Sequence, residues 1–158
     1  MKLISIVTPC FNEKENIFLL YEAVKKTMIK HNKDYKYEHI FIDNASNDGT
    51  TDILKDIAKK DKSVKLIINI RNFGHIKSPY HALINTNGDA SIMLTADFQD
   101  PPELIDNFLH EWKNGFKIVI AIKNESNENS FIFIMRKLYL YLINKFSENS
   151  HISNFTGF

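Results

Sequence analysis

Short runs of apolar and β-branched residues alternate along this chain with longer segments whose apolar residues recur at helical spacing. The runs cover residues 3–8, 39–43, 64–70, 90–94 and 117–122. Each run has the length and composition of a strand, and the intervening segments have the length of helices. Strands that alternate with helices in this way form βαβ units. The sequence therefore predicts an α/β fold with a mainly parallel sheet covered by helices on both faces.

The segments between the runs predict four helices. A fifth helix, after the last run, has two possible environments. The first helix starts at residue 17, the third passes through Ala82 and is closed by Asn87 and Gly88, and the fourth covers 103–114. A further helix at 131–146 is apolar on more than one side. Such a helix either packs into the protein core or lies on a membrane surface.

Length, charge and cysteine content narrow the class of protein. With 158 residues and 44% hydrophobic residues, the chain has enough apolar side chains for one core, so we expect a single domain over 1–158. Its 20 basic and 19 acidic residues leave a net charge of +1, which provides no general attraction to nucleic acid. No run approaches the roughly 20 apolar residues that a membrane span needs. The single cysteine, Cys10, fits a reducing compartment and is expected to be a small core residue.

Carboxylates and amides directly follow the second and fourth predicted strands. Asp43 and Asn44 stand at the end of one strand, and Asp97 and Gln99 follow the other. Ligands of open α/β sheets bind at the carboxyl ends of strands. Oxygen ligands of this kind suit Mg²⁺ or Mn²⁺ and a phosphate that such an ion carries. A nucleotide ribose or base is a suitable partner for Asp43.

Helix capping is an alternative interpretation of the same polar residues. Asp97 and Asp100 precede two prolines that open a helix, so they could cap it. After Asp43, one of Ser46, Asn47 and Asp48 is expected to cap the next helix, a role that does not exclude ligand binding.

Two common phosphate-binding loops are missing from the sequence. The segment after the first strand, 9–13, contains no glycine, which argues against a dinucleotide fold. No glycine-lysine-serine/threonine run of a P-loop occurs either. Phosphates would therefore be held by metal and side chains, and Arg71 and Arg136 are the only two arginines of the chain.

Four segments, in order and spacing, resemble the signatures of glycosyltransferase family 2. They are 9–17 (PCFNEKENI), 42–50 (IDNASNDGT), 71–75 (RNFGH) and 96–103 (ADFQDPPE). The last two are most similar to polyprenyl-phosphate glycosyltransferases, a branch that includes dolichyl-phosphate mannose synthases and bactoprenol glucosyltransferases. The resemblance extends over nearly the whole chain.

This resemblance implies a Rossmann-like nucleotide-diphospho-sugar transferase (GT-A) fold and a role for each matching residue. The implied metal ligands are Asp97 and Gln99, which would hold Mg²⁺ or Mn²⁺ against the donor diphosphate. The implied basic contacts to phosphates of donor or acceptor are Arg71, Lys123 and Arg136, so that Asp97, Arg71 and Arg136 form the expected catalytic set. The residues expected to bind the nucleotide-sugar are Pro9, Phe11, Asn12, Glu13, Asp43, Asn44, Asp97 and Lys123.

The chain also departs from the family pattern at three positions. Thr95 stands where a first aspartate of the metal site is common, so we expect weaker metal binding than in a two-aspartate relative. Asn44 replaces an aspartate that often follows Asp43; it keeps the acceptor oxygen and loses the charge. Gly157 aligns with the aspartate that is a candidate base in relatives.

The implied reaction is an inverting transfer from a UDP- or GDP-sugar to a polyprenyl phosphate at the cytoplasmic face of the cell membrane. Two alternatives stay open: a soluble family 2 enzyme that extends a glycan, and a nucleotide-sugar-binding domain without turnover. Because the resemblance places Phe158 within the acceptor region, we expect that the rest of this region and C-terminal membrane helices are missing. Catalysis by the 158-residue polypeptide itself is then in doubt.

Overall fold

The computed structural model describes residues 1–122 and the single positions Met135, Tyr139 and Lys145. It divides the chain into two compact units, Met1–Gly115 and Phe116–Phe158. The single-domain organisation expected from the length stays a prediction. In the part of the chain described, we find no helix with the length and apolarity needed to cross a membrane.

Four strands and four helices alternate in the first unit. The strands are β1 (Lys2–Cys10), β2 (Tyr35–Asp43), β3 (Val64–Ile68) and β4 (Ala90–Met93). The helices are α1 (Ile17–Lys30), α2 (Thr50–Lys60), α3 (Gly74–Ile84) and α4 (Leu104–Lys113). The strands pair in the order β3-β2-β1-β4, and every pairing is parallel. The predicted α/β fold with a parallel sheet is therefore confirmed.

Alternate residues of β1 and β2 face opposite layers of helices. On one face, Ile4, Ile6 and Phe41 belong to the larger core with buried side chains of α1, α2 and α4. On the other face, Val7, Ile40 and Ile42 pack with Ala82 of α3. Because both faces of the sheet are buried, apolar residues of these strands stand on both faces, and the strands form nearly continuous apolar runs in the sequence. Cys10 is buried in the larger core, as expected, and burial raises the pKa of its thiol.

Two predictions about secondary structure are wrong. Residues 117–122 form no strand, and only Ile122 makes an isolated bridge, because strand propensity creates a strand only where a partner strand is hydrogen-bonded. Helix α3 ends at Ile84 with Asn85 as its cap, three residues before the predicted stop at Asn87 and Gly88. Of the predicted helix 131–146, Met135, Tyr139 and Lys145 are helical, and the rest lies outside the described residues.

Gly88 has a different role, set by close packing against β1. A Cβ atom at this position would lie 2.6 Å from Ser5 Oγ and 2.7 Å from the Ser5 backbone nitrogen. The Gly88 N–H donates to Ser5 Oγ at 2.9 Å. Glycine is thus required here because any side chain would clash with Ser5, and not because it ends a helix.

Glu38 is a buried carboxylate that joins three parts of the sheet layer. Its side chain accepts hydrogen bonds from Ser5 Oγ at 2.6 Å and from the Asn87 N–H at 2.8 Å, and it pairs with Lys65. Burial by itself would raise the pKa of Glu38, but the bonds from Lys65, Ser5 and Asn87 outweigh it and lower the pKa to about 2.

Glu38→Gln should therefore destabilise the protein most at neutral pH. A carboxyl group whose pKa falls from 4.5 unfolded to about 2 folded contributes stability above pH 4.5 and loses it as the pH falls towards 2. Urea denaturation at neutral pH and at about pH 3 measures the difference between variant and wild type, which should shrink in acid. Glu22→Gln, on the exposed surface of α1, is the matched control. A difference that does not change with pH would contradict this assignment.

Candidate functional site

The parallel sheet brings four loops to one edge of the first unit. Cys10 pairs with Asp43 and Asp43 pairs with Ile68 at the carboxyl ends of β1, β2 and β3, while Val7 pairs with Met93 of β4. The carboxyl ends of these strands and the loops that follow them contain all the described residues that the sequence predicted for the site. This is the edge at which open α/β sheets bind ligands.

The loops after β1 and β2 are joined along their length by hydrogen bonds between backbone amides and side chains. The bonds are Asn12 N to Ser46 Oγ (2.9 Å), Asn47 N to Asn12 Oδ1 (3.0 Å), Glu13 N to Thr50 Oγ1 (2.9 Å) and Lys14 N to Asp48 Oδ2 (3.0 Å). Phe11 projects from the same loop and is 44% exposed. The backbone of this edge is therefore held in place, and Phe11 remains accessible to a ligand.

Asp43 lies beneath the β2–α2 loop. Its side chain is fully buried, and its two carboxylate oxygens accept hydrogen bonds from Ser46 and Thr51. Asp48 accepts the N–H of Thr50, the first residue of α2, at 2.9 Å in a local turn. The N-cap of α2 is Gly49 and makes no side-chain cap hydrogen bond, so the capping expected in this segment is wrong. Asp43 thus orders the loop that would face a nucleotide. Its direct contact with a base or ribose stays a prediction.

Three residues at this edge adopt left-handed backbone conformations. They are Asn12 (φ 57°), Ala45 (φ 66°) and Phe98 (φ 58°), the only non-glycine residues with positive φ among those described. Such conformations cost about 1 kcal/mol or more and persist where the surrounding contacts determine them. One occurs in each of the loops after β1, β2 and β4, which is the distribution expected of a binding site.

Asn44 connects the β2 loop to the loop that carries Arg71. Its Nδ2 donates to Asn72 Oδ1 at 2.8 Å and to the Gly74 carbonyl at 3.4 Å. Its Oδ1 accepts from the Phe73 N–H at 2.9 Å and from Asn69 Nδ2 at 3.0 Å. The Arg71 guanidinium in turn lies 4.8 Å from the centre of the Phe73 ring. The position of Arg71 therefore depends on the amide of Asn44.

The orientation of both amide groups is determined by backbone donors. The Phe73 N–H must meet the oxygen of Asn44, and the Gly74 N–H must meet the oxygen of Asn72, at 2.8 Å. The nitrogen of Asn44 then has to face Asn72 Oδ1. An aspartate at position 44 would place a negative charge against that oxygen and the Gly74 carbonyl, so this chain requires the donor as well as the acceptor.

We expect Asn44→Asp to loosen the Arg71 loop and to lower the free energy of unfolding by about 1–3 kcal/mol, because two hydrogen bonds donated by the buried Asn44 amide are lost. Hydrogen exchange of the Phe73 and Gly74 amides should accelerate. Asn47→Asp, an exposed substitution of the same kind on the neighbouring loop, is the control. Unchanged protection of those two amides would show that the network does not hold the loop.

Asp97 is exposed in the loop after β4, four residues beyond Met93, and helix capping does not explain it. Helix α4 begins at Leu104 after Glu103 and has no side-chain cap, so the capping interpretation of Asp97 and Asp100 is wrong. Asp97 Oδ1 accepts the Gln99 N–H at 3.2 Å in a local turn. Within the described residues, no cation lies at ion-pair distance from Asp97.

The residues around Asp97 suit a hard cation that is held mainly by the phosphates of a bound substrate. Over residues 1–122, no three histidine, cysteine or acidic side chains converge as a complete metal cage. Asp97 and Gln99 supply exposed oxygens, and Thr95 Oγ1 is buried without a hydrogen-bond partner in that range, a property shared only with His39 Nδ1. Mg²⁺ commonly binds through one or two carboxylates together with substrate phosphates.

The structure does not describe every residue predicted for the site. Lys123, Arg136 and Gly157 lie outside the described residues. Conversely, sequence reasoning missed the supporting residues Asn69, Asn72 and Ser78, where Asn69 Nδ2 donates to Ser78 Oγ at 3.0 Å. The only signal for them was the presence of Asn72 in the 71–75 segment, because Asn69 lies within the apolar run 64–70 and nothing marked Ser78.

The chain belongs to glycosyl transferase family 2. Residues 5–158 match the sequence model of this family. The chain is 35% identical over 122 residues to the bactoprenol glucosyl transferase of Shigella phage SfX, covering 77% of this chain and 39% of that protein. It is 33% identical to the undecaprenyl-phosphate 4-deoxy-4-formamido-L-arabinose transferase of Pseudomonas fluorescens, covering 81% of this chain and 37% of that protein. The chain thus spans less than half the length of these relatives.

Solved structures of glycosyltransferases share the fold, which is of the GT-A type. The mannosyltransferase PcManGT of Pyrobaculum calidifontis, in complex with GDP-Man and Mn²⁺, superposes with a TM-score of 0.61 at 19% identity, over 84% of this chain and 38% of that one. S. aureus TarS 1-349 in complex with UDP-GlcNAc has a TM-score of 0.60 at 20% identity, over 82% of this chain and 36% of that one. The GT-A fold expected from the resemblance is confirmed.

Proposed function

We propose that this chain is the donor-binding part of an inverting glycosyltransferase that transfers a sugar from a UDP- or GDP-sugar to a polyprenyl phosphate. The observation that carries the proposal is the exposed Asp97 carboxylate at the carboxyl end of β4. It lies on the same edge of the sheet as the loops that contain Phe11 and Arg71. Membership of the family supports the reaction class.

The nucleotide-sugar would bind across the β1 and β2 loops. Phe11 supplies an accessible aromatic face, Pro9, Asn12 and Glu13 line the pocket, and Asp43 with Asn44 orders its floor. Nucleotides and nucleotide-sugars are bound in solved structures that share this fold, which supports a donor of this class.

Asp97 and Gln99 would hold Mg²⁺ or Mn²⁺. The bound ion supplies positive charge against the diphosphate that leaves when the anomeric carbon is attacked. Asp97 provides the single protein carboxylate and Gln99 a neutral oxygen, so affinity for the ion depends on the donor diphosphate being present. Arg71, held over Phe73, adds a second positive group for a phosphate, and Lys123 and Arg136 are proposed for the same purpose.

A phosphate acceptor suits a site in which a general base is not assigned. The second pKa of a phosphate monoester is about 6, so this nucleophile is largely ionised at neutral pH. It needs positioning and charge neutralisation more than proton removal. The names of relatives, which include bactoprenol and undecaprenyl phosphate, support this acceptor and an association with the membrane, for which we propose the cytoplasmic face.

Donor binding without turnover is a second candidate function. Thr95, in place of a carboxylate, favours it. Transfer from UDP- and GDP-sugars to a short-chain polyprenyl phosphate, compared with a saccharide acceptor, distinguishes the possibilities. Lipid-linked product supports the proposal, product on the saccharide alone favours glycan extension, and binding without either product favours the second candidate.

Asp97→Asn should remove most of the Mn²⁺-dependent part of nucleotide binding while changing stability little, because an exposed strand-end carboxylate supports no core. We expect the affinity for UDP with Mn²⁺ to fall at least about tenfold, the loss of one charged ligand. Isothermal titration with and without Mn²⁺ measures the affinity, and thermal unfolding measures stability.

Asp100→Asn, three residues further along the same loop, is the matched control and should leave the Mn²⁺ dependence unchanged. If Asp97→Asn unfolded the protein while UDP affinity remained intact, Asp97 would be a structural residue. Equal losses in both variants would indicate a general effect of charge.

A further inference from the structure

Helix α3 exposes a row of large apolar side chains. Ile76, Tyr80 and Ile84 are 70%, 64% and 62% exposed. They are spaced four residues apart, so they lie on one face of the helix. The opposite face, which includes Ser78, Pro79 and Ala82, is buried. We call the three exposed residues the α3 stripe.

The loop that leads into α3 extends this apolar exposure. Ile70, two residues beyond β3, is 93% exposed, and Ile68 at the end of the strand is 47% exposed. Single apolar residues on a surface are ordinary, whereas an interaction site is marked by large exposed apolar side chains that form one contiguous patch. Residues 68–84 contain five of them.

The same stretch contains no acidic residue. Between Asn69 and Gly88 there is no aspartate or glutamate, although the chain has 19 of them, and the positive charges are those of Arg71 and Lys77. Among the described residues, neither cation lies at ion-pair distance from a carboxylate. Lys77 follows Ile76 on the helix and so borders the α3 stripe. This surface is therefore apolar and cationic.

We propose that the α3 stripe docks on an anionic lipid surface. An apolar helix face bordered by lysine buries its side chains at the headgroup boundary while the cations meet acidic lipids. Tyr80, with an apolar ring and a polar hydroxyl, suits that boundary. A symmetric pairing with a second copy is disfavoured, because it would place like charges of the two copies together.

Docking through α3 would also orient the site, a consequence that rests on the proposed function. Helix α3 begins at Gly74, whose carbonyl and N–H belong to the Asn44–Asn72 network. The first turn of the docked helix is thus continuous with the loop that carries Arg71. A phosphate in the headgroup layer would then approach the same edge of the sheet as the donor.

Vesicle co-sedimentation of the 158-residue chain tests the proposal. The protein should bind vesicles of phosphatidylglycerol and phosphatidylcholine, bind pure phosphatidylcholine more weakly, and dissociate as salt screens the cations. Ile76→Ser/Ile84→Ser should lower the partition coefficient at least about tenfold. Lys77→Gln should lower it about fivefold on the anionic vesicles alone.

Leu19→Ser/Ile29→Ser removes two comparably exposed side chains, 59% and 54%, from α1 and is the matched control. It should bind as the wild type does. Equal losses in both double variants, or no binding to anionic vesicles, would overturn the proposal. Self-association in sedimentation velocity that Ile76→Ser/Ile84→Ser abolishes would also overturn it, since the stripe would then be an interface between copies.

UDP titration of the same variants separates this proposal from the proposed function. Substitutions on the α3 stripe should leave UDP affinity with Mn²⁺ unchanged, because none of these side chains belongs to the donor site. Vesicle binding in a protein that binds no nucleotide would reject the proposed function alone. Nucleotide binding without vesicle binding would reject the lipid surface alone.

Discussion

Strand β1 lies inside the sheet, with β2 on one side and β4 on the other, and its parallel pairing to both determines where every other part of the first unit is placed. Nine residue pairs join β1 to β2, from Lys2 with Tyr35 to Cys10 with Asp43. Because all four strands run in one direction, their carboxyl ends meet at one edge, and the connecting helices must return across the two faces. Slipping β1 by one residue would turn Ile4 and Ile6 out of the larger core and would separate the loops after β1 and β2.

Polar side chains at the two edges of this sheet serve different purposes. At the amino edge, Glu38 collects hydrogen bonds from Ser5 and Asn87 and an ion pair with Lys65, and so closes the β4 connection on the sheet. At the carboxyl edge, Asp43 and Asn44 are also hydrogen-bonded, and their partners belong to the loops that surround the candidate site. Asp97 differs from all of them because it is exposed and, among the described residues, accepts only the local Gln99 N–H. Asp97 is thus the carboxylate that the fold leaves available at this edge.

Asn44 shows how a departure from a family pattern acquires a physical explanation. The sequence indicated that asparagine keeps an acceptor and loses a charge. The structure shows that the donor matters as well, because Asn72 Oδ1 and the Gly74 carbonyl both face the amide nitrogen. Thr95 is a different case: its hydroxyl is buried and unpaired within the described residues, two positions before the aspartate proposed to bind metal. The asparagine at position 44 stabilises a loop, whereas the threonine at position 95 leaves the proposed cation site with one carboxylate fewer.

The sequence alone determined the order of strands and helices over the first unit, the carboxyl-edge position of Asp97 and Gln99, and the family, since periodicity and motifs are local properties of the chain. It could not determine partners. Residues 117–122 have a strand-like composition but form no strand. Likewise, nothing local predicted that Asp43 would be fully buried, that Asn69 and Ser78 would support Asn44, or that Gly88 would lie against Ser5. These features depend on contacts between residues far apart in the chain, and only the tertiary structure brings such residues together.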